Sequence, residues 1–400
     1  MKLGSFCFGV LCISLLVIGC KQQQKLTTVT TVPMEEKAVE PDTLPPPKTF
    51  YITQENDTLY SLEEEEEIEM SRVYRDTISI IGVGDIMMGT NFPEERYLPG
   101  GEGRNLWLEV KDTLAMADVT FGNLEGVILD EGGDQKECKN PKVCYLFRTP
   151  RSYLVNLAES GFDVMSLANN HAGDFGDPGR QSTMSSLDSL GISYAGLVSQ
   201  PYVTFKRNRV RYGMAAFAPN KGTMSIHNLD KAKEIVAHLD SITDIVIVSF
   251  HGGAEGSKYE HVPRATETFY GENRGNVYEF AHAMIDAGAD VVFGHGPHVT
   301  RAVDLYKDRF ISYSLGNFCT YGRFNLRGVN GIAPIVKVYT NHEGKFLKGE
   351  VIPIRQMGAG GPKIDAQKTV VKKIQELTKK DFPEINLMID GSGFINYIDR

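Results

Sequence analysis

Basic residues are not in surplus. Lys+Arg number 42 against 51 Asp+Glu in 400 residues, a formal charge of −9, and no basic cluster stands ready to neutralise a run of phosphates. That excludes direct nucleic-acid binding as a function class. No Cys-x-x-Cys pair occurs among the six cysteines, which argues against a thiolate zinc site. Tryptophan is down to Trp107 alone, expected to fill a core together with the 17 Tyr and 20 Phe. With 42% hydrophobic and 10% aromatic residues the chain is an ordinary globular mixture. Collagen-like, coiled-coil and wholly disordered classes fall away. The acidity is uneven: residues 21–70 hold 12 acidic and 4 basic residues, a balance of −8.

The N-terminus has Lys2, an apolar stretch from Leu3 to Ile18, and a sharp change to Lys21-Gln22-Gln23-Gln24. This is the layout of a secretory signal, and the stretch is short for a stable membrane span. Leu16-Val17-Ile18-Gly19-Cys20 resembles a bacterial lipobox, which implies a signal peptide over 1–19, cleavage before Cys20 and lipidation of its thiol. The alternative is an uncleaved anchor helix. Both readings place the rest of the protein outside the cytoplasm, exported across the inner membrane and held at the cell envelope. Residues 20–76, rich in Gln, Thr, Pro and Glu, cannot build a core and are expected to form a disordered tether. In that compartment Cys138 and Cys144 are free to close a small disulfide loop, with Cys319 left as a buried thiol.

From residue 77 short β-rich runs alternate with helical stretches, which predicts an α/β fold. The runs are Ile78 to Val83, Val119 to Phe121, Val164 to Leu167, Ile245 to Phe250, Val291 to Phe293 and Phe310 to Leu315. Helices are expected near Leu106–Met116, Ser152–Glu159, Gly179–Leu190, Leu229–Leu239 and Asn276–Ala287, with another at Asp365–Lys380 packing back on the surface. Each run ends in a polar loop: Gly84-Asp85, Asn123-Leu124-Glu125, Asn169-Asn170-His171, His251-Gly252-Gly253, His295-Gly296-Pro297-His298, and Gly316-Asn317. Ligands of open α/β folds gather beyond the carboxyl ends of strands. Mixed carboxylate, carboxamide and imidazole donors suit divalent Mn, Fe or Zn. A lone His or Asp-Gly pair is usually structural, but four of the nine histidines fall in these loops, and their joint occurrence points to one functional site.

Taken in order, Gly84-Asp85-Ile86-Met87, Asn123-Leu124-Glu125-Gly126, Gly161-Phe162-Asp163-Val164 through His171, Gly253-Ala254-Glu255, Gly288-Ala289-Asp290-Val291-Val292 and Tyr313 to Phe318 resemble the CapA family of poly-γ-glutamate capsule biosynthesis proteins, within the calcineurin-like metallophosphatases. The resemblance covers residues 77–357, leaving 358–400 as an extension packing on that domain. It implies a four-layer αββα sandwich holding one or two divalent metal ions. Carried over, Asp85, Glu125, Asn170, His251, His295 and His298 are implied metal ligands, with His171 the general acid and Asp85 serving catalysis as well. Asn123, Asp174, Glu255 and Asn317 are implied supporting or substrate contacts. Three features depart from the pattern: Met87 stands where related phosphatases have a His, Asn123 and Glu125 stand in the second loop in place of the usual bridging Asp, and Gly296 stands where CapA relatives commonly have a His.

These residues imply metal-assisted hydrolysis or transfer, with His171 protonating a leaving oxygen. The expected partners are an anionic envelope polymer or phosphoester substrate, capsule synthesis and export proteins, and a membrane reached through the lipid anchor. Arg148, Arg264 and Arg301 are candidate anion binders or surface ion-pair partners, and Tyr259, Tyr270 and Tyr321 candidate cleft residues. Alternatives are a non-catalytic scaffold of an export complex, which Met87 favours, and a general extracellular phosphoesterase.

Overall fold

The computed structural model describes residues 50–52, 59–61, 77–138 and 144–398. The chain divides into two compact units, Met1–Arg72 and Val73–Arg400. In the first, Phe50–Ile52 pairs antiparallel with Leu59–Ser61; the signal segment, Cys20 and most of the tether lie outside the described residues. Among the described residues no helix is long and apolar enough to cross a membrane.

In the second unit all six expected runs form strands: Ile78–Met87, Val119–Leu124, Val164–Ser166, Ile245–His251, Val291–His295 and Arg309–Ser312. Several run further than their apolar residues do, so that Asp85, Asn123, His251 and His295 still lie within paired backbone. The first three are parallel neighbours in one sheet, which Ser193–Ala195 continues. The other three are parallel neighbours in a second sheet, joined by Val210–Phe217.

Alternation along each strand sorts residues to the two faces. Ile78, Ile80, Phe121 and Val164 share one core with Met214, Ile247, Val291 and Phe293 of the other sheet. The Phe121 and Phe293 rings stack across it at 5.4 Å. On the far face of the first sheet, Ile81 and Val83 pack with Trp107, Leu114, Leu157 and Leu187. On the far face of the second, Val246 and Val248 meet Ala232, Val236, Phe280 and Met284 from helices Leu229–Ile242 and Val277–Asp286. Helix, sheet, sheet and helix thus stack in four layers, the αββα sandwich that covers parallel strands on both faces.

Two helices begin where an Asn side chain caps them: Asn228 Oδ1 accepts from Lys231 N–H at 3.1 Å, and Asn276 Oδ1 from Glu279 N–H at 3.2 Å. The expected Leu106–Met116 helix is a correction. Only Lys111–Leu114 is α-helical, after a 3-10 stretch Gly101–Leu106 in which Glu102 and Gly103 have positive φ. Ser152–Glu159 likewise divides into 3-10 and α turns, Arg151–Leu154 and Val155–Glu159. The hairpin Ile332–Thr340 with Phe346–Gln356, which flanks Ile78–Met87 on its other edge, was not expected from sequence. Its strands carry Pro334 and Pro353 directly opposite each other, residues that argue against a central strand.

The C-terminal helix forms as Thr369–Asp381 and buries Val370, Val371 and Ile374 in the core between the sheets. Beyond it, Leu387–Ile389 and Phe394–Tyr397 add two strands to the first sheet through Phe346–Gln356.

Candidate metal centre

The carboxyl ends of both sheets meet where Asp85 pairs in register with Asn123 and with Asn317, and His251 with His295. Close approach fixes the first strand there. A Cβ on Gly84 would lie 1.9 Å from the Gly316 carbonyl oxygen, which accepts the Asp85 N–H at 2.9 Å. Only glycine permits that contact.

Three side chains converge. Glu125, His251 and His298 each offer one donor atom within 4.8 Å of the others, the one such trio among the described residues. Both Glu125 oxygens and both His251 ring nitrogens are buried without a hydrogen-bond partner. Buried polar groups are ordinarily paired. These orphaned oxygen and imidazole donors therefore fit a divalent cation such as Mn, Fe or Zn.

Asp85 stands one bond behind the trio. Its Oδ2 meets His298 Nδ1 at 2.9 Å and its Oδ1 accepts from Asn123 Nδ2 at 2.8 Å, while His298 Nε2 faces Glu125 Oε1 at 3.6 Å. A carboxylate on one nitrogen of a ligating histidine fixes the tautomer and aims the other nitrogen. His298 itself has a φ of +57°. Asn317 Nδ2 donates to its carbonyl at 3.2 Å, Gln356 Nε2 donates to the Asn317 carbonyl at 2.9 Å, and Asn317 Oδ1 remains buried without a partner.

His295 is buried beside Asp85, but its Nε2 meets the Val83 carbonyl at 3.1 Å and its Nδ1 the Ser249 hydroxyl at 3.4 Å. It ties the second sheet to the first and is not one of the trio. Asn170 points a buried, unpartnered Oδ1 inward, while its carbonyl accepts from Lys136 Nζ at 2.9 Å. His171 Nδ1 meets Asp174 Oδ2 at 2.7 Å and its Nε2 lies 3.9 Å from Glu125 Oε1. Asp174 is in turn held by the Phe147 N–H at 2.8 Å, and the Phe147 ring centroid lies 4.3 Å from the His171 ring. Glu255 lies outside the trio, paired with Arg274 at 3.0 Å.

The electrostatics follow from burial and crowding. Burial holds the Glu125 carboxyl well above its usual range, with Asp85 and Glu255 adding to the effect against His298 and Arg274. Burial and then the Arg274 charge push the His251 imidazole well down. For His298 burial works against the charge, but Glu125 and Asp85 outweigh it and raise the pKa to about 10. Burial alone would push Asp85 up; His298, His295 and Asn123 together bring it below its ordinary value.

The departures at Met87 and Gly296 have local reasons. The Met87 thioether accepts the Gly89 N–H at 3.3 Å. Gly296 has φ +114°, and a Cβ there would lie 2.6 Å from the Gly252 carbonyl oxygen, so no histidine fits in this chain. Arg148 donates to Asn91 and the Gly132 carbonyl, Arg264 pairs with Glu384, and Arg301 with Glu267; each meets a partner within the protein. Tyr259 and Tyr270 gather around Phe269. Cys138 and Cys144 are disulfide-bonded, and Cys319 is a buried free thiol. Sequence reasoning missed Asn169, whose Nδ2 donates to Asn123 Oδ1 (3.2 Å) and the Leu124 carbonyl (2.9 Å) while its Oδ1 accepts the His171 N–H (3.1 Å). Its place in the doublet before His171 was the available signal.

Fold and donor set define an αββα protein with a candidate divalent-metal centre at its strand ends. The model of the bacterial capsule synthesis protein PGA_cap matches residues 79–321, more than half of the chain, and the chain belongs to that family. It is 31% identical over 258 residues to the capsule biosynthesis protein CapA of Bacillus anthracis, covering 59% of this chain and 58% of that one. Over 259 residues it is 28% identical to the PGA biosynthesis protein CapA of Bacillus subtilis, covering 61% and 63%. The chain thus spans less than two thirds of the length of either relative. Among solved structures, the NAD nucleotidase of Haemophilus influenzae is similar at TM-score 0.39 and 11% identity, over 76% of this chain and 56% of that one.

Proposed function

We propose that the protein acts at the cell envelope in making or exporting an anionic capsule polymer of the poly-γ-glutamate type, through metal-assisted hydrolysis or transfer. The observation that carries the reading is the set of orphaned donors on Glu125 and His251 beside His298. A scaffold has no physical need to bury four unpaired polar atoms together. Family membership and the capsule relatives support the polymer class. The Leu16 to Cys20 segment supports export and lipid attachment at Cys20.

Glu125, His251 and His298 would hold the cation, with Asn170 nearest in donor type. A divalent cation supplies Lewis acidity, polarising a phosphoryl or carbonyl oxygen and making water acidic near neutral pH. The chain's own residues do the rest. Asp85 orients His298 through Nδ1. Asp174 fixes the His171 ring so that its Nε2 faces the centre, where it delivers a proton to a departing oxygen. Phe147 packs against one side of that imidazole.

Metal analysis of the purified protein, with hydrolysis assays on phosphoesters and γ-glutamyl amides, tests the reading. Both Asp85→Ala and His171→Ala should lose activity, and only the first should lose metal. The Met87 thioether, turned to Gly89, favours the scaffold reading instead; metal-free protein whose variants leave capsule formation intact would establish that one.

A further inference from the structure

Arg274 is 3% exposed, deeper than a lone arginine ordinarily sits. Its Nη1 pairs with Glu255 Oε1 at 3.0 Å, and its Nε and Nη2 are buried with no partner. Those two nitrogens form one edge of the guanidinium, the pair of parallel donors that matches two oxygens of a carboxylate or phosphate. The cation is therefore neutralised on one side and left with an unused fork on the other.

Its position is set by the backbone. The Arg274 carbonyl accepts the Gly253 N–H at 2.9 Å, two residues past His251. The Arg274 charge is felt at both His251 and Glu125. The loop that presents it is braced: Arg274 N–H donates to the Glu267 carbonyl at 2.8 Å, and Glu267 N–H to the Gly275 carbonyl at 2.9 Å. The Glu267 carboxylate takes two bonds from Arg301, at 2.7 and 2.9 Å, and one from Ala254 N–H at 3.0 Å. Arg301 also donates through Nε to the Tyr259 carbonyl at 2.8 Å. One buried arginine is spent on holding the loop, and the other is held by it with an edge to spare.

We propose that Arg274 is the oxyanion-binding residue of this centre, its Nε and Nη2 edge gripping a phosphate or carboxylate of the substrate while Glu255 fixes Nη1. The assignment rests on the metal-centre reading for its neighbour but not for its own binding. A substrate bound there presents an anionic group beside the cation donors, as a phosphoester or a γ-linked glutamyl chain would.

The test is calorimetric titration of the full-length protein in detergent with inorganic phosphate and, separately, γ-glutamyl-glutamate, with metal content measured on each sample. Arg274→Gln should weaken the tighter of the two anions about 10- to 100-fold with metal content unchanged. Arg274→Lys should restore only part, because an ammonium offers no planar fork. Tighter phosphate binding assigns a phosphoester, tighter dipeptide binding a carboxylate polymer. Wild-type protein that binds neither anion, unchanged affinity in Arg274→Gln, or full affinity in Arg274→Lys would overturn the proposal. Anion binding lost in Arg274→Gln from a protein that takes up no metal would uphold Arg274 and sink the metal reading alone.

Discussion

His298 Nδ1 lies 2.9 Å from Asp85 Oδ2, joining a loop of one sheet to the first strand of the other across 213 residues of sequence. Asp85 thereby decides which way His298 Nε2 faces. Asp85→Asn keeps the shape but removes the charge that orients the ring. Cation affinity should fall about 10- to 100-fold, measured by competition with a chelating dye, while the circular dichroism spectrum stays as in wild type. Undiminished affinity would remove Asp85 from the centre.

Cation binding and protons compete here. His298, raised to about 10 by the Glu125 and Asp85 charges, carries a proton near neutrality in the metal-free protein. Ligation strips it, so binding at pH 7 should release about one proton per cation, and affinity should climb with pH by roughly tenfold per unit. Calorimetry in buffers of different ionisation enthalpy counts the protons. A release near zero would contradict this charge arrangement.

Glu125→Gln separates stability from function. With its raised pKa, Glu125 keeps a proton in the folded state that the unfolded chain gives up above its ordinary value, so it costs stability as pH rises past about 4.5. The neutral amide does not titrate. Metal-free Glu125→Gln should therefore melt higher than wild type at pH 8, with the difference shrinking towards pH 4. The rise in melting temperature on adding metal should disappear.

The Asp174 to His171 contact of 2.7 Å predicts a split between rate and binding. In Asp174→Asn the His171 tautomer is no longer imposed. If hydrolysis is detected in wild type, kcat should drop about 10²-fold or more with metal content retained. Loss of metal with the activity would instead make Asp174 a support of the cation donors.

Cys319 is fully buried, and burial raises its thiol pKa far above the usual range. An aromatic disulfide reagent should leave it unmodified in the folded 77–400 fragment and titrate it on unfolding, since the thiolate is the nucleophile. Rapid labelling of the native fragment would show that this core opens.

Much of the architecture was legible because it rests on local pattern. Apolar runs such as that from Ile245 to Phe250 announce a buried parallel strand, and a polar loop after each run announces where strands end. The CapA-like words named Asp85, Asn123, Glu125, His171 and His251 as one group, since each falls in a polar loop at the end of a strand run. What escaped were features whose local signal opposes the outcome: the Pro334 and Pro353 hairpin, whose strands pair with each other at nine positions and whose first strand pairs with Ile78–Met87 at six, and the stretch expected as a Leu106–Met116 helix, of which only Lys111–Leu114 is α-helical.

The sequence by itself determined the fold class, the strand-end loops and the kinds of donor in them, because periodicity and residue chemistry are properties of short stretches. Only the tertiary structure decided the division of labour. It left the nitrogens of His251 free and tied those of His295 to Val83 and Ser249, and it consumed Arg301 in its loop while sparing an edge of Arg274. Residues of the same type at similar positions differ there because hydrogen-bond partners are set by atoms far away in the chain, whose distances no linear spacing encodes.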